Sequence, residues 1–154
     1  MLLCLVGSEM CIRDSFRTAV ASKMDAIIVA NSKTDFYNPN SIRSSLGSIF
    51  LIQTAIASSK EIISFLNKKS FNIGTAVISK DSINYDCYDF NTPCAIILGA
   101  ENSGLDNCWL ESNNQKLIIP MAEEIDSLNL SVSAGILMYE ARRKNSIVEN
   151  KSIV

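Results

Sequence analysis

The amino-acid sequence predicts an α/β domain with a mostly parallel sheet flanked by helices. Three observations carry that expectation. Apolar segments of strand length alternate with segments of helical period, the pattern of strand–helix–strand units. Residues 95–98 and 117–119 are unbroken apolar runs, as strands buried on both faces of a parallel sheet require. Each run empties into a polar loop, the first bearing Gly99 and Gly104, the second opened by Pro120. Two such loops side by side at the carboxyl edge of a parallel sheet form a ligand crevice.

The elements follow in order. Residues 16–24 read as a short helix and Ala26–Ala30 as a buried strand. Asn38-Pro39 is a helix start, with Asn38 as cap and Pro39 in the first turn, and Ile42, Leu46, Ile49 and Phe50 then share one helical face. Ser58 and Glu61 have capping-box spacing and open a helix carrying Ile62, Ile63, Phe65 and Leu66. Residues 71–78 read as a strand weakened at Gly74, and residues 79–93 as a polar connection ending at Pro93. After the second crevice loop, Leu128, Val132, Gly135, Ile136 and Tyr139 recur at helical spacing, with Asp126 or Ser127 placed to cap the helix. Residues 145–154 read as a frayed tail. There is no internal repeat.

Composition narrows the function. The chain has 154 residues, 47% hydrophobic, enough for one globular domain with a core. A net charge of −2 provides no global basic field, so nucleic-acid binding would rest on local patches such as Arg142-Arg143-Lys144 or Lys68-Lys69, which equally suit a solvated surface or a helix end. The chain has no histidine, which excludes His-based triads and His-containing zinc sites. Its five cysteines show no Cys-x-x-Cys spacing and fit a reduced, cytoplasmic setting with inert thiols; without a histidine to activate them, Cys94 and Cys108 are poor nucleophiles. No metal site is expected. No apolar run approaches the roughly 20 residues needed to span a bilayer. Residues 1–15 lack the basic leader of a signal peptide, and the string from Cys4 to Asp14 is similar to a translated sequencing-adapter artefact. They are expected to be a non-native leader, followed by the domain at 16–144 and the tail at 145–154.

The two crevice runs also carry a family resemblance. Leu98-Gly99-Ala100-Glu101 with Gly104-Leu105, then Ile119-Pro120-Met121, Ser127-Leu128-Asn129 and Tyr139-Glu140, resemble the second and third motifs of the SpoU/TrmH family. These are S-adenosylmethionine-dependent RNA ribose 2′-O-methyltransferases of the knotted SPOUT superfamily. Arg17-Thr18-Ala19 resembles the end of the family's first motif. The Asn and Gly that normally open that motif are absent, because the suspect leader lies where they should stand. Asn38-Pro39 with Arg43-Ser44-Ser45-Leu46-Gly47-Ser48-Ile49-Phe50 resembles the helix that often follows. Glu123-Glu124 depart from the family, which usually has a glycine there.

The resemblance implies a deep C-terminal trefoil knot, a homodimer, S-adenosylmethionine as cofactor, and rRNA or tRNA as substrate. It places the cofactor near Leu98, Gly99, Ile119, Met121 and Leu128. It assigns catalysis to Arg17, Glu101, Ser127 and Asn129, with Arg43 a candidate RNA-phosphate contact. A guanidinium stays protonated. Arg17 therefore suits holding a phosphate and stabilising a developing alkoxide, oriented by Glu101. Ser127 and Asn129 either bond the substrate or hold the loop, and helix capping is the plain alternative. Trp109 and Tyr139 are conceivable base-stacking residues, although Tyr139 falls on the expected core face. Two further readings stand: a fold-keeping but inactive RNA- or cofactor-binding module, and a generic nucleotide-binding α/β domain.

Overall fold

A computed structural model describes residues 1–6, 9–32, 37–91, 93–99, 104–112 and 114–151, with the backbone alone at 9–13, 40, 44 and 147–151. In chain order the elements are β1 (Leu2–Val6), α1 (Glu9–Ala21), β2 (Ala26–Ala30), α2 (Pro39–Ser44), β3 (Gln53–Ala57), α3 (Ser59–Lys68), β4 (Asn72–Ala76), β5 (Ile83–Asn84), β6 (Cys94–Leu98), α4 (Asn107–Glu111), β7 (Gln115–Ile118) and α5 (Leu130–Lys151). The seven strands form one sheet of order β3-β2-β1-β6-β4-β7-β5, and each neighbouring pair is parallel.

Strand alternation divides the interior into two cores. On one face Leu3, Leu5, Ile27, Val29, Ile96 and Leu98 pack against Phe16 and Ala19 of α1 and against Ala134, Leu137, Met138 and Ala141 of α5. On the other, Cys4, Val6, Ile28, Ala95 and Ile97 pack against Ile62 and Leu66 of α3 and Trp109 of α4. All five residues of β6 are buried, as its apolar run demands.

Local signals account for several boundaries. The Asn38 side chain accepts the Ser41 N–H with Pro39 in the first turn. Ser58 and Glu61 close the capping box at α3, which also holds the Glu61 carboxyl below its usual range.

Leu2–Val6, within the stretch read as a non-native leader, forms β1 between β2 and β6, with Leu3 and Leu5 fully buried. Other expectations are corrected. Helix α1 correspondingly starts at Glu9, upstream of residue 16. Helix α2 stops at Ser44, because Leu46 (φ 49°) and Gly47 (φ 77°) turn left-handed before a single 3₁₀ turn at Ser48–Phe50. Ile49 is buried as expected, whereas Leu46 and Phe50 face solvent. Strand β3 was not anticipated, since its exposed edge position leaves no apolar alternation to detect. The polar connection at 79–93 contains β5 and contributes Tyr88 and Phe90 to the core.

The expected core face of the last helix is rotated. Leu130, Ala134, Leu137, Met138 and Ala141 are buried, while Val132 and Tyr139 are each 49% exposed. Neither Asp126 nor Ser127 caps it: Asn129 Oδ1 accepts the Ser131 N–H at 2.9 Å and the Ser131 hydroxyl at 2.6 Å. The helix continues to Lys151 through the region expected to fray, and Asn145 Nδ2 donates to the Phe90 carbonyl at 2.9 Å.

Truncating a residue of β1 tests its place in the sheet. Leu5→Ala should lower the unfolding free energy by about 2–5 kcal/mol through lost transfer energy and an unfilled cavity, read as a shifted urea midpoint. An unchanged midpoint would show that residues 2–6 are not part of the stable sheet.

Candidate functional site

The carboxyl ends of β4, β6 and β7 converge with the first turn of α5 on a pocket of about 270 Å³. Its floor is apolar: Leu98 from the end of β6, Leu117 from β7, and Leu130 from α5. The walls are built from Gly99, Gly104 and Leu105 on one side and Ile119, Met121 and Leu128 on the other. Ser127 and Ser133 provide hydroxyls at the lining. Ala76, which ends β4, and Val77 and Ile78 after it complete the enclosure, with Ile78 60% exposed at the rim. A small concave site lined mostly by apolar groups, with a few polar groups, suits a ligand with a flat or aliphatic body and polar ends.

Gly99 is required for a reason the sequence did not disclose. A Cβ built there would lie 2.6 Å from the Gly104 carbonyl carbon, 2.8 Å from its oxygen and 2.8 Å from Leu105 Cγ. The absent side chain therefore permits chain to approach chain and sets the wall of the pocket. Gly104 itself has φ +65°, the left-handed region where glycine carries no Cβ penalty.

Behind that wall lies a polar network. Asn31, at φ 52° after β2, donates from Nδ2 to Ser59 Oγ and to Asp106 Oδ2, both at 2.8 Å. Its Oδ1 accepts the Ser59 N–H at 3.1 Å. Ser59 Oγ donates to Asp106 Oδ2 at 3.1 Å and accepts the buried Trp109 indole N–H at 3.1 Å. Asp106 stands at the N-cap position of α4 without making a side-chain cap bond, because its carboxylate is engaged by Asn31 and Ser59. The network ties the end of β2 and the start of α3 to the residue immediately following Leu105. Sequence reasoning missed it, since each member alone reads as a turn or cap residue.

The structure brings Leu98, Gly99, Ile119, Met121 and Leu128 together in the pocket, with Ser127 beside them. Asn129 lies one turn away as the cap of α5, so its side chain holds the loop. Arg17 is exposed on α1, and Arg43 is exposed on α2; neither lines the pocket. Glu101 lies outside the described residues. Glu123 and Glu124 are exposed at a turn closed by the Ile125 N–H on the Ala122 carbonyl at 3.1 Å, which carries their charge away from the lining.

The basic run after the third motif is committed to the fold. Arg142 Nη1 donates to the Ala21 carbonyl at 2.6 Å, and Lys144 Nζ donates to the carbonyls of Asp86 and Tyr88. Arg143 pairs through two hydrogen bonds, 2.8 and 2.7 Å, with Glu140, whose carboxyl it holds below the usual range. Trp109, considered for base stacking, is buried. Burial pushes the Cys94 thiol up to about 11 and the Cys4 thiol up to about 12, so both stay protonated at neutral pH. Among the described residues no three His, Cys, Asp or Glu side chains gather to hold a metal.

The sequence model of the SpoU rRNA Methylase family matches residues 14–139. A 23S rRNA uridine 2′-O-methyltransferase of Streptomyces viridochromogenes is 32% identical over 134 residues, 83% of this chain and 46% of that protein. A solved RNA 2′-O ribose methyltransferase superposes with a TM-score of 0.84 at 33% identity, over 95% of this chain and 57% of the other. An AdoMet-bound rRNA methyltransferase from Sinorhizobium meliloti superposes with a TM-score of 0.86 at 28% identity, over 92% of this chain and 55% of the other. The chain spans about half the length of the curated relatives it matches.

Asn31→Ala should cost about 1–3 kcal/mol, because it strands the Ser59 N–H and one side of the Asp106 carboxylate. Urea unfolding measures the loss. A change below about 0.5 kcal/mol would mean that water replaces the side chain and that the network does not brace the pocket wall.

Proposed function

This chain belongs to the SpoU rRNA Methylase family, and from that premise we propose that it transfers a methyl group from S-adenosylmethionine to a ribose 2′-hydroxyl of rRNA or tRNA. The observation that carries this reading is the pocket itself. The apolar lining at Leu98, Ile119 and Leu128 matches the flat apolar body of an adenine, and the Ser127 and Ser133 hydroxyls match polar ends. Two successive family motifs, carried on the ends of different strands, meet at that one cavity.

Bound S-adenosylmethionine supplies a methyl group on a sulfonium centre, electrophilic toward oxygen. The walls orient the ligand and exclude water, so that positioning contributes much of the rate. Ser127, on the lining, hydrogen-bonds the ribose or the ligand, while Asn129 keeps the loop in place by capping α5. Arg17 holds an RNA phosphate and offsets the charge that develops as the hydroxyl loses its proton. Its guanidinium cannot take that proton, which passes to a basic group such as a substrate phosphate. Glu101 orients Arg17, and Arg43 contacts phosphate further along the RNA.

The same proposal includes a homodimer, a C-terminal knot and a cytoplasmic location. The dimer is supported by apolar surface on one side of the molecule: Val132 and Tyr139, two turns apart on α5, are half exposed, as is Ile125 in the preceding loop. Arg17 lies on α1, which packs along α5 and bears no lining residue, so a second copy seated on this surface would bring another chain's groups toward the pocket. The knot is supported by the path after β7. The chain crosses back over the ends of β4 and β6 to set α5 against α1, past the close approach of Gly99 and Gly104. A crystal structure tracing residues 99–130 would show the threading or its absence. The cytoplasmic location is supported by the thiols of Cys4, Cys87, Cys94 and Cys108, which remain unpaired.

Titration calorimetry should detect S-adenosylmethionine binding to this chain and not to Gly99→Trp, whose side chain cannot fit against the Gly104 backbone. Transfer of labelled methyl to RNA, lost on 2′-deoxy substrate, would complete the assignment. Binding without transfer would leave a cofactor-binding module, and no binding by the folded parent would withdraw the enzyme. Tyr139→Glu should convert a sedimenting dimer to monomer while leaving the unfolding midpoint nearly unchanged; a parent that sediments as a monomer at micromolar concentration removes the dimer from the proposal.

A further inference from the structure

A second surface lies on the same side of the sheet as α1 and α5. Tyr37 and Phe50 stack with ring centroids 6.2 Å apart and planes inclined by 18°, yet both remain open to solvent, at 49% and 64%. Leu46 and Leu51, each 73% exposed, lie in the same segment. The platform is rigidly mounted. The neighbouring Ile49 is buried in the core, Ser48 Oγ donates to the Ser45 carbonyl at 2.6 Å, and the left-handed Gly47 turns the chain so that Phe50 points outward. A ring fixed at the end of a 3₁₀ turn, as Phe50 is, presents its face at a reduced ordering cost.

Charge indicates what covers it. From Tyr37 to Ala57 the sequence contains one charged residue, Arg43, and no carboxylate, in a chain whose net charge is −2. Arg43 is exposed in the last turn of α2, between the two aromatic residues in sequence. Unlike the Arg142–Lys144 run, it makes no ion pair among the described residues. An exposed aromatic pair in a segment, 37–57, whose one charged residue is a cation matches nucleic acid: rings for bases and a guanidinium for phosphate. The position is also apt. α2 and the 3₁₀ turn pack on α1, α1 packs on α5, and the first turn of α5 lines the pocket. β3 is three strands from β6, roughly 15 Å across the sheet at about 4.8 Å per strand. Phe50 lies before the amino end of β3 whereas the pocket lies at the carboxyl ends, so the platform takes nucleotides further along the nucleic-acid strand than the immediate neighbour of the one in the pocket.

We propose that Tyr37 and Phe50, with Arg43, form a base-stacking platform for single-stranded RNA flanking the nucleotide presented to the pocket. This rests on the methyltransferase reading and extends it: the substrate must offer unpaired bases near its target, because bases within an A-form helix are not open to stacking.

Fluorescence anisotropy of a labelled mixed-sequence oligoribonucleotide, single-stranded or as a duplex, tests the platform, with S-adenosylmethionine calorimetry run on the same samples. The single strand should bind more tightly than the duplex. Phe50→Ala and Tyr37→Ala should each raise Kd by about fivefold or more, and Phe50→Trp should preserve binding. Arg43→Ala should reduce the salt dependence by about one phosphate contact. S-adenosylmethionine affinity should stay the same in all four, which also shows that the variants are folded. RNA binding unchanged in the alanine variants, or fully kept in Phe50→Leu, would overturn the platform. So would a parent dimer that Phe50→Ala dissociates without loss of RNA affinity, which would make the patch a protein interface. If instead the parent binds RNA as described but not S-adenosylmethionine, the methyl-transfer reading fails and the RNA platform stands.

Discussion

Strand β6 has no solvent-facing side, and the rest of the molecule is arranged by that constraint. Cys94, Ile96 and Leu98 point into the core beneath α1 and α5, while Ala95 and Ile97 point into the core beneath α3 and α4. A strand buried on both faces must be covered by helices on both, and its backbone must be paired on both edges, here by β1 and β4. Where such a strand ends, burial ends with it. The chain emerges at Gly99 among other strand ends, and a cavity forms because no single side chain can fill the space between diverging loops.

The cavity is held open from two directions. Gly99 and Gly104 bring two stretches of backbone into contact, so that wall is made of main chain and has little freedom to collapse. Asn31, Ser59, Asp106 and Trp109 fix the next residues against a different part of the sheet. The opposite wall, from Ile119 to Leu128, hangs between β7 and the cap at Asn129. Much of the pocket lining therefore sits on loops, but loops braced at each end by regular structure.

Charge is deployed in the same economical manner. Arg142 and Lys144 are used to seal α5 against the end of α1 and against the segment around Tyr88, while Arg143 stays exposed and pairs with Glu140 on its own helix. Arg17 on α1 and Arg43 on α2 are exposed, and neither is in an ion pair among the described residues. The proposed RNA platform accordingly draws on stacking and shape, through the exposed pair Tyr37 and Phe50.

Much was legible in the chain alone. Ala26–Ala30, the Ser58 capping box, the Asn38-Pro39 start and the buried run of β6 appear where local chemistry puts them, because caps and double burial are written in neighbouring residues. The five expected cofactor residues were also found by motif, and they meet in one pocket. Three features were decided only by the tertiary structure. Two sets of residues on the last helix share helical spacing, and packing against α1, not periodicity, selected Ala134, Leu137 and Met138 over Val132 and Tyr139. Edge strand β3 carries little alternation because one of its sides has no partner. The run Leu2–Val6 is short and apolar, which fits a leader as well as a strand, and only the vacant position between β2 and β6 makes it β1. Each depends on contacts between residues distant in sequence, which no local pattern records.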